Sequence, residues 1–186
     1  DISSFNLPDL RRIVGVILQD VFILQDSLLN NIVLDTNKSR AEVTSILEQS
    51  GITEFVDRLP SGLDTMLGDG GQELSTGEKQ LLSFARALCR DSDILVLDEA
   101  TAFIDTESET ILENAIERSF TGRTSIIIAH RLSTVRRADR IVVMEAGAIV
   151  EQGSHETLAA AGGPYARLLE LDLADQNHGG TQAELD

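Results

Sequence analysis

The chain holds 186 residues, 42% of them hydrophobic and 25% charged, which is enough apolar material for one ordinary core. Its formal net charge of −16 opposes direct contact with nucleic acid or anionic lipid, since both need clustered Lys and Arg. No apolar run approaches the roughly 20 residues of a membrane-spanning helix, no basic-then-apolar leader opens the chain, and Cys89, the single cysteine, forbids an internal disulfide and favours a reducing compartment.

Residues 1–12 read as a strand remnant followed by a short helical turn, with Pro8 tolerated near its start. The β-branched run at 13–18 predicts a strand ending at Gln19. Residues 21–24 and 27–32 are unusually apolar for a connecting region, so Phe22 and Leu24 are candidates either for a partner surface or for burial. Ser39 and Glu42 have the Ser-x-x-Glu spacing of a capping box, opening a helix with an apolar face of Val43, Ile46 and Leu47 that Gly51 ends. Another short helical stretch covers 52–59 and is closed by Pro60-Ser61-Gly62, and Gly68, Gly70 and Gly71 predict a loop over 67–73.

Ser75 and Glu78 repeat the capping-box spacing, and Leu81, Phe84, Ala85 and Leu88 then recur as one apolar face of a helix running to about Arg90. After the polar turn 91–93, Ile94-Leu95-Val96-Leu97 is short and does not alternate, as suits a parallel strand covered on both faces, and it delivers Asp98 and Glu99. Ligand chemistry in open α/β sheets gathers outside the carboxyl ends of strands, where this acidic pair stands. Thr106 and Glu109 are spaced to cap a helix whose apolar positions are Ile111, Leu112, Ala115 and Ile116. Residues 124–129 predict a second buried parallel strand, which delivers His130. Residues 140–144 and 148–151 form a predicted antiparallel hairpin, and 164–171 a last amphipathic helix. The acidic stretch 172–186, without Lys or Arg, reads as disordered. His155 at a helix start and His178 in this tail are not ligand candidates.

Leu-Ser-Thr-Gly-Glu at 74–78 resembles the signature sequence of ATP-binding cassette (ABC) proteins, and 94–99 resembles their Walker B strand with its catalytic Glu. Residues 16–20 are similar to the Q-loop, 102–105 to the D-loop and 128–131 to the switch-histidine loop. This ordered set makes the chain resemble an exporter-type nucleotide-binding domain over roughly residues 1–170. The resemblance implies an α/β fold: a P-loop NTPase-like ABC ATPase core with a mostly parallel sheet, plus an α-helical signature subdomain at about 20–92, in a partial domain spanning 1–171.

It also implies ATP and Mg²⁺ as ligands. Gln19 and Asp98 would face the metal, Glu99 would act as general base or orient the attacking water, and His130 would bond the γ-phosphate. Ser75, Thr76, Gly77 and Glu78 would meet nucleotide held by a second subunit, toward which Asp105 would also face. The implied partners are a second nucleotide-binding domain in a head-to-tail pair and a transmembrane domain whose coupling helices meet the region after Gln19. That places an exporter ATPase at the cytoplasmic face of the inner membrane, with no nucleic-acid partner and no direct membrane insertion.

Three departures stand out. No Gly-x-x-x-x-Gly-Lys-Ser/Thr occurs, so the chain reads as the C-terminal part of such a domain, without its N-terminal strands and phosphate loop and inactive as an ATPase on its own. In the signature, Thr76 replaces a Gly and Glu78 a Gln; a Glu78 turned back into the capping box keeps the site usable, and a degenerate site is the other reading. Asp69 stands where exporters usually carry Glu. Alternatives are a non-transport ABC ATPase or a non-catalytic interaction module.

Overall fold

The computed structural model describes residues 1–17, 20–98, 106–120, 123–129 and 132–179, and the chain forms two compact units, Asp1–Ile128 and Ala129–Asp186. The first unit opens on a 3-10 turn, Ile2–Ser4, where a strand remnant was expected, because the Asp1 carboxylate accepts the Ser3 N–H and curls the backbone. Asn6 caps helix α1 (Leu7–Ile13), which runs directly into strand β1 (Val14–Ile17). Strand β2 (Ile94–Asp98) lies between β1 and strand β3 (Thr124–Ile128), all parallel, with Ile17 opposite Leu97 and Leu97 opposite Ile127.

Between β1 and β2 the chain is helical. Ser27 caps helix α2 (Leu28–Val33) by accepting the Asn30 N–H, and so turns an apolar stretch that sequence left as a connection into a helix. Helix α3 (Arg40–Ser50) begins with both halves of the expected capping box in place and ends at Gly51, whose φ of 80° is left-handed. Helix α4 (Thr53–Asp57) and a 3-10 turn, Gly62–Asp64, follow. Helix α5 (Thr76–Cys89) is the axis of the unit: α2, α3, helix α6 (Thr106–Phe120) and β1 all pack around it. Every residue from Gln80 to Cys89 is consequently buried, where the spacing predicted a single apolar face. Ile111, Leu112 and Ala115 of α6 are buried as expected, with Ile116 packed at the margin.

The sheet is less covered than its composition suggested. Leu95 and Leu97 are buried on the helix side, yet on the other side Val16 is 49% exposed and Ile126 and Ile128 are each 53% exposed. Val16, Val96 and Ile126 stand opposite one another in register, so they form one continuous apolar row, which the described residues leave open at Val16 and Ile126 and half-buried at Val96. A non-alternating sequence reports two apolar faces, and whether a neighbour covers the second is a separate matter.

In the second unit, helix α7 (Leu132–Val135) precedes the predicted hairpin of strands β4 (Ile141–Glu145) and β5 (Ala148–Gly153). Its turn is made by Ala146 and Gly147, both with positive φ. Ser154 caps helix α8 (His155–Ala161), and Ile141, Leu158 and Tyr165 form a small core with helix α9 (Pro164–Gly179). His155 Nδ1 and the Tyr165 hydroxyl are hydrogen-bonded at 2.8 Å. Helix α9 continues past its expected end at Leu171, because 172–178 contain no Gly or Pro to break it. Among the described residues no helix is long and apolar enough to cross a membrane.

Candidate functional site

Parallel pairing brings the carboxyl ends of β1, β2 and β3 side by side, with Ile17, Leu97 and Ile127 in one row. At the usual inter-strand spacing such a row spans about 10 Å. Asp98 closes β2 at the centre of that edge; its side chain is exposed and makes no ion pair among the described residues. Its carboxylate is therefore available to a cation or a polar ligand. Gln19 and Glu99, which follow β1 and β2 in the chain, lie outside the described residues, as do Asp105 and His130. Helix α6 starts at Thr106 itself, and its capping side chains also fall outside them.

The second feature is the N-terminus of α5. Ser75 Oγ accepts the Glu78 N–H at 3.2 Å, and Glu78 Oε2 accepts the Ser75 N–H at 2.8 Å, closing the capping box. The Glu78 carboxylate is thereby turned back onto its own backbone. Ser75 and Thr76 are exposed while Gly77 is buried, and the first-turn amides of Thr76 and Gly77 have no intrahelical acceptor, as in any helix start. Unpaired N–H groups at the positive end of a helix dipole suit an anion.

The loop before this helix is built by close backbone approach. Met66 O accepts the Gln72 N–H at 2.8 Å across the turn. A Cβ on Gly71 would come within 2.5 Å of that same oxygen, so only glycine fits there. The loop is stitched to residues 24–28: Leu67 N–H donates to Asp26 O, Leu28 N–H to Thr65 O, and Gln25 Nε2 to Asp69 Oδ2 at 2.9 Å. Of the apolar residues after Gln19, Val21 and Ile23 pack against the core, while Phe22 is 62% and Leu24 44% exposed. The candidate partner surface at Phe22 and Leu24 is thus open to solvent.

No motif in the sequence marks Arg86 or Asn31. Arg86 projects from the buried length of α5 and donates from Nε to Asn31 O at 2.6 Å, from Nη1 to Phe22 O at 2.7 Å and from Nη2 to Asn31 Oδ1 at 3.1 Å. Its guanidinium carbon lies 4.5 Å from the centre of the Phe22 ring. Burial pushes the Arg86 pKa down, and among the described residues its hydrogen-bond partners are amide oxygens rather than a carboxylate. Asn31, fully buried, uses Oδ1 to accept the Leu24 N–H and Nδ2 to donate to the carbonyls of Leu24, Asp26 and Ser27. The available signal was a charged residue inside the Ala-Arg-Ala-Leu run of an otherwise apolar helix end.

A model of the ABC transporter family matches residues 1–102, over half of the chain. The chain belongs to the ABC transporter family. An ATP-dependent lipid A-core flippase of Burkholderia orbicola (strain AU 1054) is 44% identical to this ABC chain over 175 residues, covering 94% of it and 30% of the flippase. P-glycoprotein 14 of Caenorhabditis elegans is 41% identical over 171 residues, or 92% of this chain and 13% of that one. Among solved structures, a bacterial Atm1-family ABC exporter with ATP bound superposes with a TM-score of 0.81 at 38% identity, over 92% of this chain and 30% of the other. The mixed α/β architecture with its parallel sheet is that of an ABC exporter's nucleotide-binding domain. The ABC chain spans about 30% of the length of the flippases it matches.

Proposed function

We propose that this chain is the signature-bearing and catalytic portion of the ATPase domain of an ABC exporter, and that the protein containing it couples ATP hydrolysis to transport across the inner membrane from its cytoplasmic face. In this proposal Asp98 and Gln19 hold Mg²⁺, Glu99 positions or deprotonates the attacking water, and His130 bonds the γ-phosphate. Ser75, Thr76 and Gly77 receive that phosphate from a second domain in a head-to-tail pair, Asp105 faces the same partner, and Phe22 and Leu24 meet the transmembrane domain. When bound by Asp98 and Gln19, Mg²⁺ would supply charge neutralisation for the phosphates, and the residues named here would supply position.

The observation that carries this proposal is the open N-terminus of α5, with Ser75 and Thr76 exposed and the Glu78 carboxylate held in the capping box away from an incoming anion. That geometry favours a usable signature over a degenerate one. Likeness to an exporter with ATP bound over 92% of the chain supports it further.

The test is Glu99→Gln in the full-length protein. ATP binding should stay within about twofold while turnover falls by a hundredfold or more, roughly the cost of losing a group that acts mainly in the transition state. Turnover close to wild type in that variant would overturn the assignment. Because the sequence holds no Gly-x-x-x-x-Gly-Lys-Ser/Thr, the 186-residue chain by itself is expected to have no turnover.

A further inference from the structure

Residues 20–27 form no regular secondary structure of their own, apart from one isolated bridge at Ser27, yet they carry the exposed Phe22 and Leu24. Backbone polar groups in such a segment must find partners elsewhere. Two buried side chains supply many of them. Arg86 takes the carbonyls of Phe22 and Asn31, and Asn31 takes the Leu24 amide and the carbonyls of Leu24, Asp26 and Ser27. Arg86 Nη2 also bonds Asn31 Oδ1, so the two side chains act as one clamp.

We propose that Arg86 is a positioning residue which ties the exposed Phe22–Leu24 surface to helix α5, so that displacement of α5 by a ligand at its capped end is carried to that surface, and the reverse. The proposal rests on the reading that this surface meets a membrane partner and that Ser75 to Gly77 meet nucleotide. Three features support it. Helix α5 is a rigid lever, fixed by its capping box and buried from Gln80 onward, and Arg86 sits about 16 Å along its axis from Ser75 at 1.5 Å per residue. The planar guanidinium joins carbonyls of two chain positions that no single ammonium reaches with the same fork. With amide oxygens as its partners instead of a carboxylate, the charge depends on those carbonyls staying in place, so moving either side costs the other its satisfaction.

The experiment uses the full-length protein with Arg86→Lys, which keeps the charge and removes the fork. Amide exchange over residues 21–31 should quicken about tenfold while residues 80–89 keep their protection. In the same variant, KM for ATP and basal turnover should hold, and the change in turnover caused by transported substrate should be largely lost. Unchanged exchange over 21–31 in folded Arg86→Lys overturns the tie. Loosened exchange with substrate response intact overturns the transmission. If Arg86→Lys does not fold, Asn31→Asp serves instead, keeping the side-chain shape and removing its three donations; exchange over 23–27 must then quicken, and its failure to do so overturns the clamp. Glu99→Gln, measured in parallel, separates failure of this inference from failure of the ATPase assignment, since the exchange result does not depend on turnover.

Discussion

Helix α5 and strand β3 belong to one unit and meet solvent in opposite ways. The helix is buried on all sides from Gln80 to Cys89, whereas the strand leaves Ile126 and Ile128 half out of the protein. Both are apolar in sequence, so apolarity alone did not decide their burial. Neighbours did: four elements surround α5, while the described residues cover only one face of the sheet. The helical part is thus closed upon itself, and the sheet is finished on one side.

The largest expected effect tests the closed part directly. Phe84 has no exposed surface, so Phe84→Ala should cost about 3–5 kcal/mol in denaturant unfolding through lost burial and the cavity left behind. The partner measurement is Ile126→Thr on the open face, which should stay within about 0.5 kcal/mol. Comparable losses at both sites would mean that something covers β3 in solution.

Cys89 sharpens the same contrast. Burial pushes its thiol up to about 11 from an ordinary 9.0. An alkylating reagent should therefore modify it only as fast as the unit unfolds, and a rate near that of a free thiol would refute the closed packing. The unfolded thiol begins to ionise near 9.0 while the folded one holds its proton to about 11, so stability should fall as pH climbs between those values.

A smaller effect lies at the lever's end. Ser75→Ala removes the acceptor of the Glu78 N–H and should cost about 1 kcal/mol of thermal or denaturant stability, with Ser75→Asp restoring most of it. The smallest concerns exposed carboxylates. Hydrogen bonds from the Ser39 backbone and hydroxyl hold Glu42 below the usual range, and Arg40 does the same for Asp64. Both carboxyls are depressed in the folded state, so their contribution is complete above the unfolded values near 4 and fades as pH falls through the folded ones. A melting series from pH 6 to 3 should show a shallow decline that Glu42→Gln and Asp64→Asn each reduce.

Local chemistry was legible from residues alone. The capping boxes at Ser39 and Ser75, the Gly51 stop, the strand ending at Asp98 and the β4–β5 hairpin all depend on neighbours within a few positions, and all appear in the structure. What sequence missed depends on distant partners. Helix α2 was overlooked because its start rests on a single cap at Ser27, and the open face of β3 because no window of residues records what lies across from it. Arg86 and Asn31 are 55 positions apart, and only tertiary structure makes them one network. At the candidate site, Asp98 and the signature turn stand where spacing put them; Gln19, Glu99, Asp105 and His130 lie outside the described residues.

The apolar row of Val16, Val96 and Ile126, open at its two outer members among the described residues, carries a colloidal consequence. An apolar surface of this kind adheres to its like unless charge keeps copies apart, and the chain's −16 supplies that repulsion at neutral pH. As the medium is acidified toward the isoelectric point near 4.4 the repulsion vanishes while the stickiness remains, so this polypeptide should cloud there well before its helices melt.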